Sequence, residues 1–189
     1  ATGEFNYTHQ DLFIPSRGLP LEITRAYNSL DTIQGPFGIG WSHNYNIYLV
    51  EISDGTNTYV LRKTPNGNKD KFLQKADGSY EAVSEGCYDT LAKYATLPFS
   101  LQQLAPENLT SGYYIKDRNG MGYLFDLLGK LIVVFDRNNN KITLEYDTLN
   151  RLISITDTVH RKITLSYNTE NKITTITDFA GRVFTYQYN

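Results

Sequence analysis

Four oxygen-bearing side chains lie close together at the alternating spacing of a calcium-binding loop. Asp136, Asn138 and Asn140 alternate, and Asp147 stands at the twelfth position. Such loops surround Ca²⁺ with oxygen ligands, need Gly at the sharp turn and close with a bidentate Glu. Here Lys141 occupies the glycine position, and a shorter Asp closes the loop. We therefore expect a polar hairpin turn instead of a metal site.

The other residues suited to metal binding or nucleophilic catalysis are isolated from one another. His9, His43 and His160 are far apart, and none has metal-ligand spacing to another histidine or to Cys87. Carboxylates on both sides of Cys87 disfavour a reactive thiolate. No paired carboxylates or nucleophile elbow appear at a spacing that hydrolases use. We predict that the chain is not an enzyme and that it uses no metal or cofactor.

Aromatic side chains offer a different chemistry, because ring faces can stack on sugars. The single tryptophan is Trp41, between Gly40 and Ser42. Trp41, Tyr146 and Tyr167 are therefore candidates for stacking on a glycan. We favour the alternative, in which Trp41 packs at one end of a sheet and the tyrosines pack between neighbouring repeats.

Composition limits the class of protein. The chain has 189 residues, of which 40% are apolar and 20% charged, and this composition is typical of a folded globular protein. The abundance of Tyr (15) and Phe (9) favours strands. A net charge of −2 without long blocks of like charge disfavours a nucleic-acid partner. No apolar run is long enough to span a membrane, and Ala1–Glu4 lacks a signal-peptide pattern.

Two sets of markers recur every 21 residues near the end of the chain. They are the tyrosines Tyr146, Tyr167 and Tyr188 and the aspartates Asp136, Asp157 and Asp178. Each tyrosine closes a segment in which large apolar and polar residues alternate, which predicts a strand with one buried face. Each aspartate closes a second segment rich in β-branched residues and precedes turn residues. The sequence predicts an all-β fold built from repeated antiparallel hairpins.

Two of the predicted strands depart from simple alternation of apolar and polar residues. The bulky pairs Leu152/Ile155 and Ile173/Ile176 are three residues apart, so we predict a β-bulge in each of these strands. Outside the strands, the sequence predicts single helical turns at most, at Thr90–Tyr94 and Phe99–Leu104.

The repeat resembles the YD repeat of Rhs-family proteins. Its clearest copy consists of Tyr146-Asp147, Asn150-Arg151-Leu152 and Ile155-Thr156-Asp157. The front of the chain resembles the lead-in domain of Rhs and wall-associated proteins. The matching segments are Gly3 to Asp11, Ile14 to Leu21, Arg25 to Ser29 and Gly35 to His43.

The resemblance implies a hollow β-shell, like those of Rhs proteins, teneurins and Tc-toxin cocoons, in which a variable C-terminal toxin is enclosed. It implies a lead-in β region over residues 1–115 and YD-repeat hairpins over residues 116–189, both belonging to a fragment of a secreted or cell-surface bacterial protein. The aspartate self-cleavage motif of many such shells is missing, since none of the six prolines follows an Asp.

We therefore expect a curved antiparallel sheet of stacked hairpins with a structural, encapsulating role. Its partners would be the remainder of its own shell and the enclosed C-terminal domain. The alternative is a cell-surface carbohydrate-binding or adhesion module that recognises a glycan. Unpaired strand edges also predict edge-to-edge self-association of the fragment.

Overall fold

The computed structural model describes residues 3–188, so the outermost residues of the two expected regions (1, 2 and 189) lie outside the described part. The fold is all-β and antiparallel, as the sequence predicts. Its described residues contain one short helix, α1 (Phe99–Gln102), inside the segment expected to form a helical turn. They contain no helix long and apolar enough to cross a membrane. The helical turn expected at Thr90–Tyr94 is wrong, because this segment is a strand that pairs with Gly112–Lys116.

The chain forms two compact units. Unit 1 contains the residues up to Asn46, Pro65–Gly67 and the residues from Ile142 onwards, and unit 2 contains Ile47–Thr64 and Asn68–Lys141. The boundary expected between residues 115 and 116 falls inside the strand Gly112–Lys116. That division into two regions stays a prediction.

The front of unit 1 is a three-stranded sheet with a small hairpin. The sheet has the order β1 (Asn6–Ile14), β2 (Leu21–Asn28) and β5 (Trp41–His43). The hairpin consists of β3 (Gln34–Gly35) and β4 (Gly38–Ile39). Leu21 and Ile23 are fully buried on one face at the start of β2, whereas Ala26 and Asn28 are buried on its opposite face further along the strand.

The back of unit 1 carries the repeated hairpins, whose strands pair in chain order. They are β14 (Lys141–Tyr146), β15 (Leu152–Thr156), β16 (Lys162–Tyr167), β17 (Ile173–Thr177) and β18 (Val183–Thr185). The predicted alternation is present, since Ile142 and Leu144 are buried while Glu145 is exposed. The last strand, β18, is shorter than its repeat copies, and the Tyr186 N–H that follows it bonds to the carbonyl of Thr174 in the same register as the β17–β18 pairs.

Both predicted bulges are present. Glu145 pairs with Ser154 while Tyr146 pairs with Leu152, so Ile153 is the extra residue in β15. Thr174 is the corresponding extra residue in β17. The bulge lets residues three apart share one face, and it explains why Leu152 and Ile155 are both buried.

Unit 2 contains two antiparallel meanders. The first has β6 (Tyr48–Ser53), β7 (Thr58–Lys63), β8 (Lys69–Gln74) and β9 (Tyr80–Ala82). The second has β10 (Thr90–Tyr94), β11 (Gly112–Lys116), β12 (Gly122–Phe125) and β13 (Leu131–Phe135). Leu101 of α1 is buried in a cluster with Leu97, Leu104, Leu124, Val133 and Phe135.

Turns of one geometry join the later strands. In each turn, the Oδ1 atom of the first residue, i, accepts hydrogen bonds from the N–H groups of residues i+2 and i+4. Residue i+3 has a positive φ. The first residues are Asp117, Asp126, Asp136, Asp147, Asp157, Asn168 and Asp178. A short polar side chain at this position folds back on its own backbone and closes the turn locally.

Candidate functional site

One face of the front sheet of unit 1 gathers two rows of side chains across its strands. Tyr7 lies opposite Tyr27, which lies opposite Trp41, and these three form the aromatic row. His9 lies opposite Arg25, which lies opposite His43, and these three form the second row. Both rows share a face because directly opposed residues of an antiparallel pair point the same way.

The carboxylate of Asp11 connects several polar side chains on this face. It lies at a bulge in β1, and its carboxylate is only 8% exposed. Arg25 donates to both of its oxygens, from Nε at 2.5 Å and from Nη2 at 2.8 Å. The Tyr186 hydroxyl donates to Oδ2 at 2.8 Å, and Nδ1 of His9 lies 2.9 Å from Oδ1.

The electrostatics of this cluster follow from its contacts. Burial opposes ionisation of Asp11, but hydrogen bonds from Arg25, Tyr186 and His9 outweigh it and hold the pKa of Asp11 below its usual value. Burial and the adjacent carboxylate raise the pKa of Tyr186. The site therefore contains a carboxylate and a guanidinium that neutralise each other.

Aromatic rings surround the Arg25 guanidinium. Its central carbon lies 5.2 Å from the ring of Tyr186, 5.5 Å from Trp41 and 5.8 Å from Phe37. Phe37 also meets Tyr186 edge to face at 4.9 Å. These cation–π contacts fix the guanidinium in place. Trp41 packs against Tyr27 at 5.0 Å as well, so its ring is largely engaged by its own chain.

An open pocket of about 620 Å³ lies beside this cluster, within unit 1. One wall is the sheet face with His9, Asp11, Arg25 and Trp41, and Phe37 adjoins it. The segment from Phe184 to Tyr188 also lines the pocket. Aromatic walls with a few planar polar groups suit a ligand that is polar and uncharged.

The glycine-rich segment before Trp41 shapes the pocket. A Cβ atom at Gly35 would overlap the carbonyl oxygen of Trp41, and one at Gly40 would lie 2.7 Å from the carbonyl oxygen of Asn28. Gly40 also has a φ of +73°. The close approach places Phe37 against Arg25, and the carbonyl of Pro36 accepts the Ile173 N–H at 2.8 Å.

His43 ends the second row in a buried position. It is 3% exposed, and its Nδ1 accepts the Tyr45 N–H at 3.2 Å. Burial lowers the pKa of His43 to about 4. The ring is therefore neutral at physiological pH and acts as a packed hydrogen-bond acceptor.

The aspartate markers lie at the start of turns. Asp136 accepts N–H groups from Asn138 and Asn140 and the Asn140 side-chain amide, so its oxygens are engaged within the turn. Asp157 and Asp178 are fully buried carboxylates paired with Arg161 and Arg182. Within residues 3–188, no group of three or more His, Cys, Asp or Glu side chains could hold a metal ion.

The tyrosine markers reach back to the preceding return strand. The hydroxyl of Tyr167 donates to the Leu152 carbonyl at 2.7 Å, and that of Tyr188 donates to the Ile173 carbonyl at 2.5 Å. Arg151 lies over the ring of Tyr167 at 4.9 Å. Tyr146 is half-buried at the equivalent end of β14 and pairs with Leu152. Tyr188 lines the pocket together with Trp41, whereas Tyr146 and Tyr167 do not belong to its lining.

The remaining candidate residues lie apart from the pocket. His160 is exposed in a turn with a φ of 65°. Cys87 is half-buried in unit 2, where burial raises the pKa of its thiol. The sequence gives no signal for the cluster of Asp11, Arg25 and Tyr186, because Asp11 and Tyr186 are 175 residues apart in the chain. The bulge position of Asp11 gives no periodic signal of its own.

Comparisons with known proteins find partial matches to one family and to bacterial proteins that are named as tRNA nucleases. Residues 1–72 match the family described as "Domain of unknown function (DUF6531)". Over 140 residues, or 74% of its length, the chain is 32% identical to the "tRNA nuclease WapA" of Bacillus subtilis (strain 168). The same identity and coverage hold for the "tRNA3(Ser)-specific nuclease WapA" of Bacillus spizizenii and the "tRNA(Glu)-specific nuclease WapA" of Bacillus subtilis subsp. natto.

These relatives are far longer than the aligned region, which covers 5% of each of them. The chain therefore corresponds in sequence to a short stretch of bacterial proteins that are named as tRNA nucleases.

Proposed function

We propose that this chain is a non-catalytic structural segment of an Rhs/YD-repeat shell that encloses a C-terminal toxin or effector for delivery. The observation that carries the proposal is how unit 1 uses its polar groups. The carboxylates of the repeat markers Asp157 and Asp178 are buried, and their hydrogen bonds close the turns that they begin. Carboxylates that close turns in this way stabilise a wall of stacked hairpins and are not available for chemistry.

Contacts between the front and back of unit 1 support the same role. Tyr186 bonds to Asp11, Ile173 bonds to Pro36, and Asp157 accepts from Ser16. The front segments of unit 1 therefore contact the later repeats at three places. Such contacts suit a lead-in segment that packs against the hairpins of its own shell.

The relatives support a division of labour within a longer protein. They are named for tRNA cleavage, and the aligned stretch is 5% of their length. In this proposal any toxic activity of the parent protein belongs to another part of it. Its partners are the remainder of the shell and the enclosed domain, and the parent protein is secreted or held at the bacterial cell surface.

Two assays test the proposal. The purified chain should leave tRNA intact under conditions in which a bacterial tRNA nuclease degrades it. Cleavage that survives repurification and is lost in His9→Ala would overturn the non-catalytic assignment.

In the full-length protein, limited proteolysis should spare the C-terminal domain. Asp157→Ala should expose that domain, whereas Asp77→Ala, at an exposed turn of unit 2, should not. Equal digestion of the unaltered protein and of Asp157→Ala would contradict enclosure.

A carbohydrate-binding role is the second candidate, and the pocket beside Arg25 favours it. Sugars present C–H faces to aromatic rings and hydroxyls to planar polar side chains, and both kinds of group line this pocket. Trp41 is the single tryptophan and reports directly on the pocket by its fluorescence. A saturable change on titration with cell-wall oligosaccharides, lost in Gln187→Ala and retained in Gln103→Ala, would support this role, and an unchanged spectrum would exclude it.

A further inference from the structure

The outer edge of β1 is a long strand edge without a partner strand in residues 3–188. β1 pairs with β2 along one side and ends the order of its sheet. The side chains from Asn6 to Gln10 are all exposed. The bulge at Asp11 interrupts the regular ladder, so Asn6 to Gln10 form the regular part of this edge.

The hydrogen bonds of the front sheet determine which backbone groups face this edge. The Ser29 N–H donates to the Phe5 carbonyl at 3.0 Å, so Phe5 bonds towards β2. Neighbouring residues of a strand direct their N–H and C=O groups to opposite sides. Tyr7 and His9 therefore bond towards β2 as Phe5 does. Asn6, Thr8 and Gln10 present their N–H and C=O groups at the outer edge.

This edge lacks the usual protection against pairing. Natural edge strands carry Lys, Pro, inward charges or bulges that prevent a second strand from adding. From Asn6 to Gln10 there is no Lys, Arg, Asp, Glu or Pro, and the bulge at Asp11 lies beyond this stretch. By contrast, β18, which ends the order of its own sheet, has only three residues.

We infer that two copies of this chain associate through β1, antiparallel and related by a twofold axis at Thr8. In this register Thr8 lies opposite Thr8 of the second copy, and Asn6 lies opposite Gln10. All three outward-facing residues then form hydrogen-bonded pairs, giving three such pairs. A twofold axis at Tyr7 or at His9 would leave two pairs within the regular edge.

Side-chain chemistry makes the edge complementary to itself. In the Thr8-centred register, Tyr7 of one copy lies opposite His9 of the other, which pairs two rings on the same face. Asn6 and Gln10 place two neutral amides opposite each other on the other face. No like charges meet, and the interface is isologous, so it closes at a dimer and does not propagate.

Cysteine cross-linking tests the register. The background is Cys87→Ser, which removes the native thiol. Opposed residues of a hydrogen-bonded pair have Cα atoms about 5.5 Å apart, within the range that a disulfide spans. Thr8→Cys should therefore form a covalent dimer on mild oxidation. Asn6→Cys is the matched control, because its two copies would lie about 14 Å apart along the strands and should stay monomeric.

Sedimentation tests the association without a cross-link. Thr8→Lys places like charges opposite each other and should weaken dimerisation at least about tenfold. Thr164→Lys is the control, since this exposed residue lies in β16, whose two edges are paired with β15 and β17. A chain that stays monomeric up to about 1 mM would overturn the inference. Cross-linking of Asn6→Cys as readily as Thr8→Cys would overturn the register.

Discussion

The hydroxyl of Ser16 donates a hydrogen bond of 2.7 Å to the carboxylate of Asp157, 141 residues further along the chain. Asp157 is fully buried and also accepts from the N–H and the guanidinium of Arg161. Arg161 in turn donates to the carbonyl of Pro15. The loop between β1 and β2 is thus bonded to a repeat turn through both members of an ion pair.

Ser16→Ala should lower the free energy of unfolding by about 1–3 kcal/mol, because a buried carboxylate loses one donor. Urea denaturation measures the change. Ser166→Ala, at an exposed position in β16, is the control and should change stability by less than about 0.5 kcal/mol. A double-mutant cycle with Asp157→Asn should show coupling between residues 16 and 157, and additive effects would contradict the contact.

His43 should make stability depend on pH between about 6.5 and 4. Its folded-state pKa of about 4 lies below the ordinary value of 6.5, so the unfolded chain binds the proton more readily. The contribution of His43 to the free energy of unfolding is fully present above pH 6.5. It declines as the pH falls to about 4, by about 3 kcal/mol in all. Urea midpoints across this range measure the slope. In His43→Gln the slope should be shallower, and an unchanged slope would contradict a buried neutral ring.

Asp157 should contribute a second loss of stability at lower pH. Burial opposes its ionisation, but bonds from Ser16 and Arg161 outweigh burial and hold the pKa of Asp157 below 3.8. Stability from a group with a lowered pKa is present above its unfolded value and is lost as the pH falls through the folded value. Asp157→Asn should therefore reduce the pH dependence below about pH 4 and leave the His43 range unaffected. The acid limb of the unfolding curve is the measurement.

His160 occupies a backbone conformation that strains a residue with a Cβ atom. Its φ is 65°, and its side chain is exposed. His160→Gly should raise the melting temperature, because glycine adopts this conformation without a steric penalty of about 1 kcal/mol. His160→Ala keeps the Cβ atom and should not give this gain. Equal effects of the two substitutions would show that the turn conformation is not what limits stability here.

Gly40 should tolerate substitution less than Gly78, although both have positive φ. A Cβ atom at Gly40 would lie 2.7 Å from the Asn28 carbonyl oxygen, whereas one at Gly78 would meet nothing within 4 Å. Gly78→Ala should cost about 1 kcal/mol, and Gly40→Ala should cost clearly more because of the overlap. Near-ultraviolet circular dichroism of Trp41 should change in Gly40→Ala alone. Similar stability of the two variants would contradict the close approach.

Local features of the fold could be predicted from the sequence because they depend on neighbours in the chain. The bulges at Ile153 and Thr174 follow from apolar residues three apart, and the 21-residue period shows the hairpins directly. The strand Thr90–Tyr94 was mistaken for a helical turn because five residues carry too little periodic signal, and its conformation is set by pairing with β11.

The pocket cluster could not be predicted for a different reason. Arg25 and Trp41 belong to segments that the sequence singles out, yet nothing local indicates that Asp11 binds Arg25 or that Tyr186 lies over it. Those contacts arise from the packing of the front sheet on the last repeat. Sequence alone also gave no sign that His43 is buried beside Phe37.

The repeat turns have a consequence for how such a protein can change in length. Each turn is closed by an oxygen of its own first residue, as Asp147 and Asn168 show. Each 21-residue unit contains one bulged and one regular strand, so its apolar residues return to the same face. A tandem duplication of one unit would therefore fold with its turns already satisfied and its core in register. Growth or shrinkage of the array by whole units would preserve the fold, whereas a gain or loss of a single strand would bring two strands of one kind together.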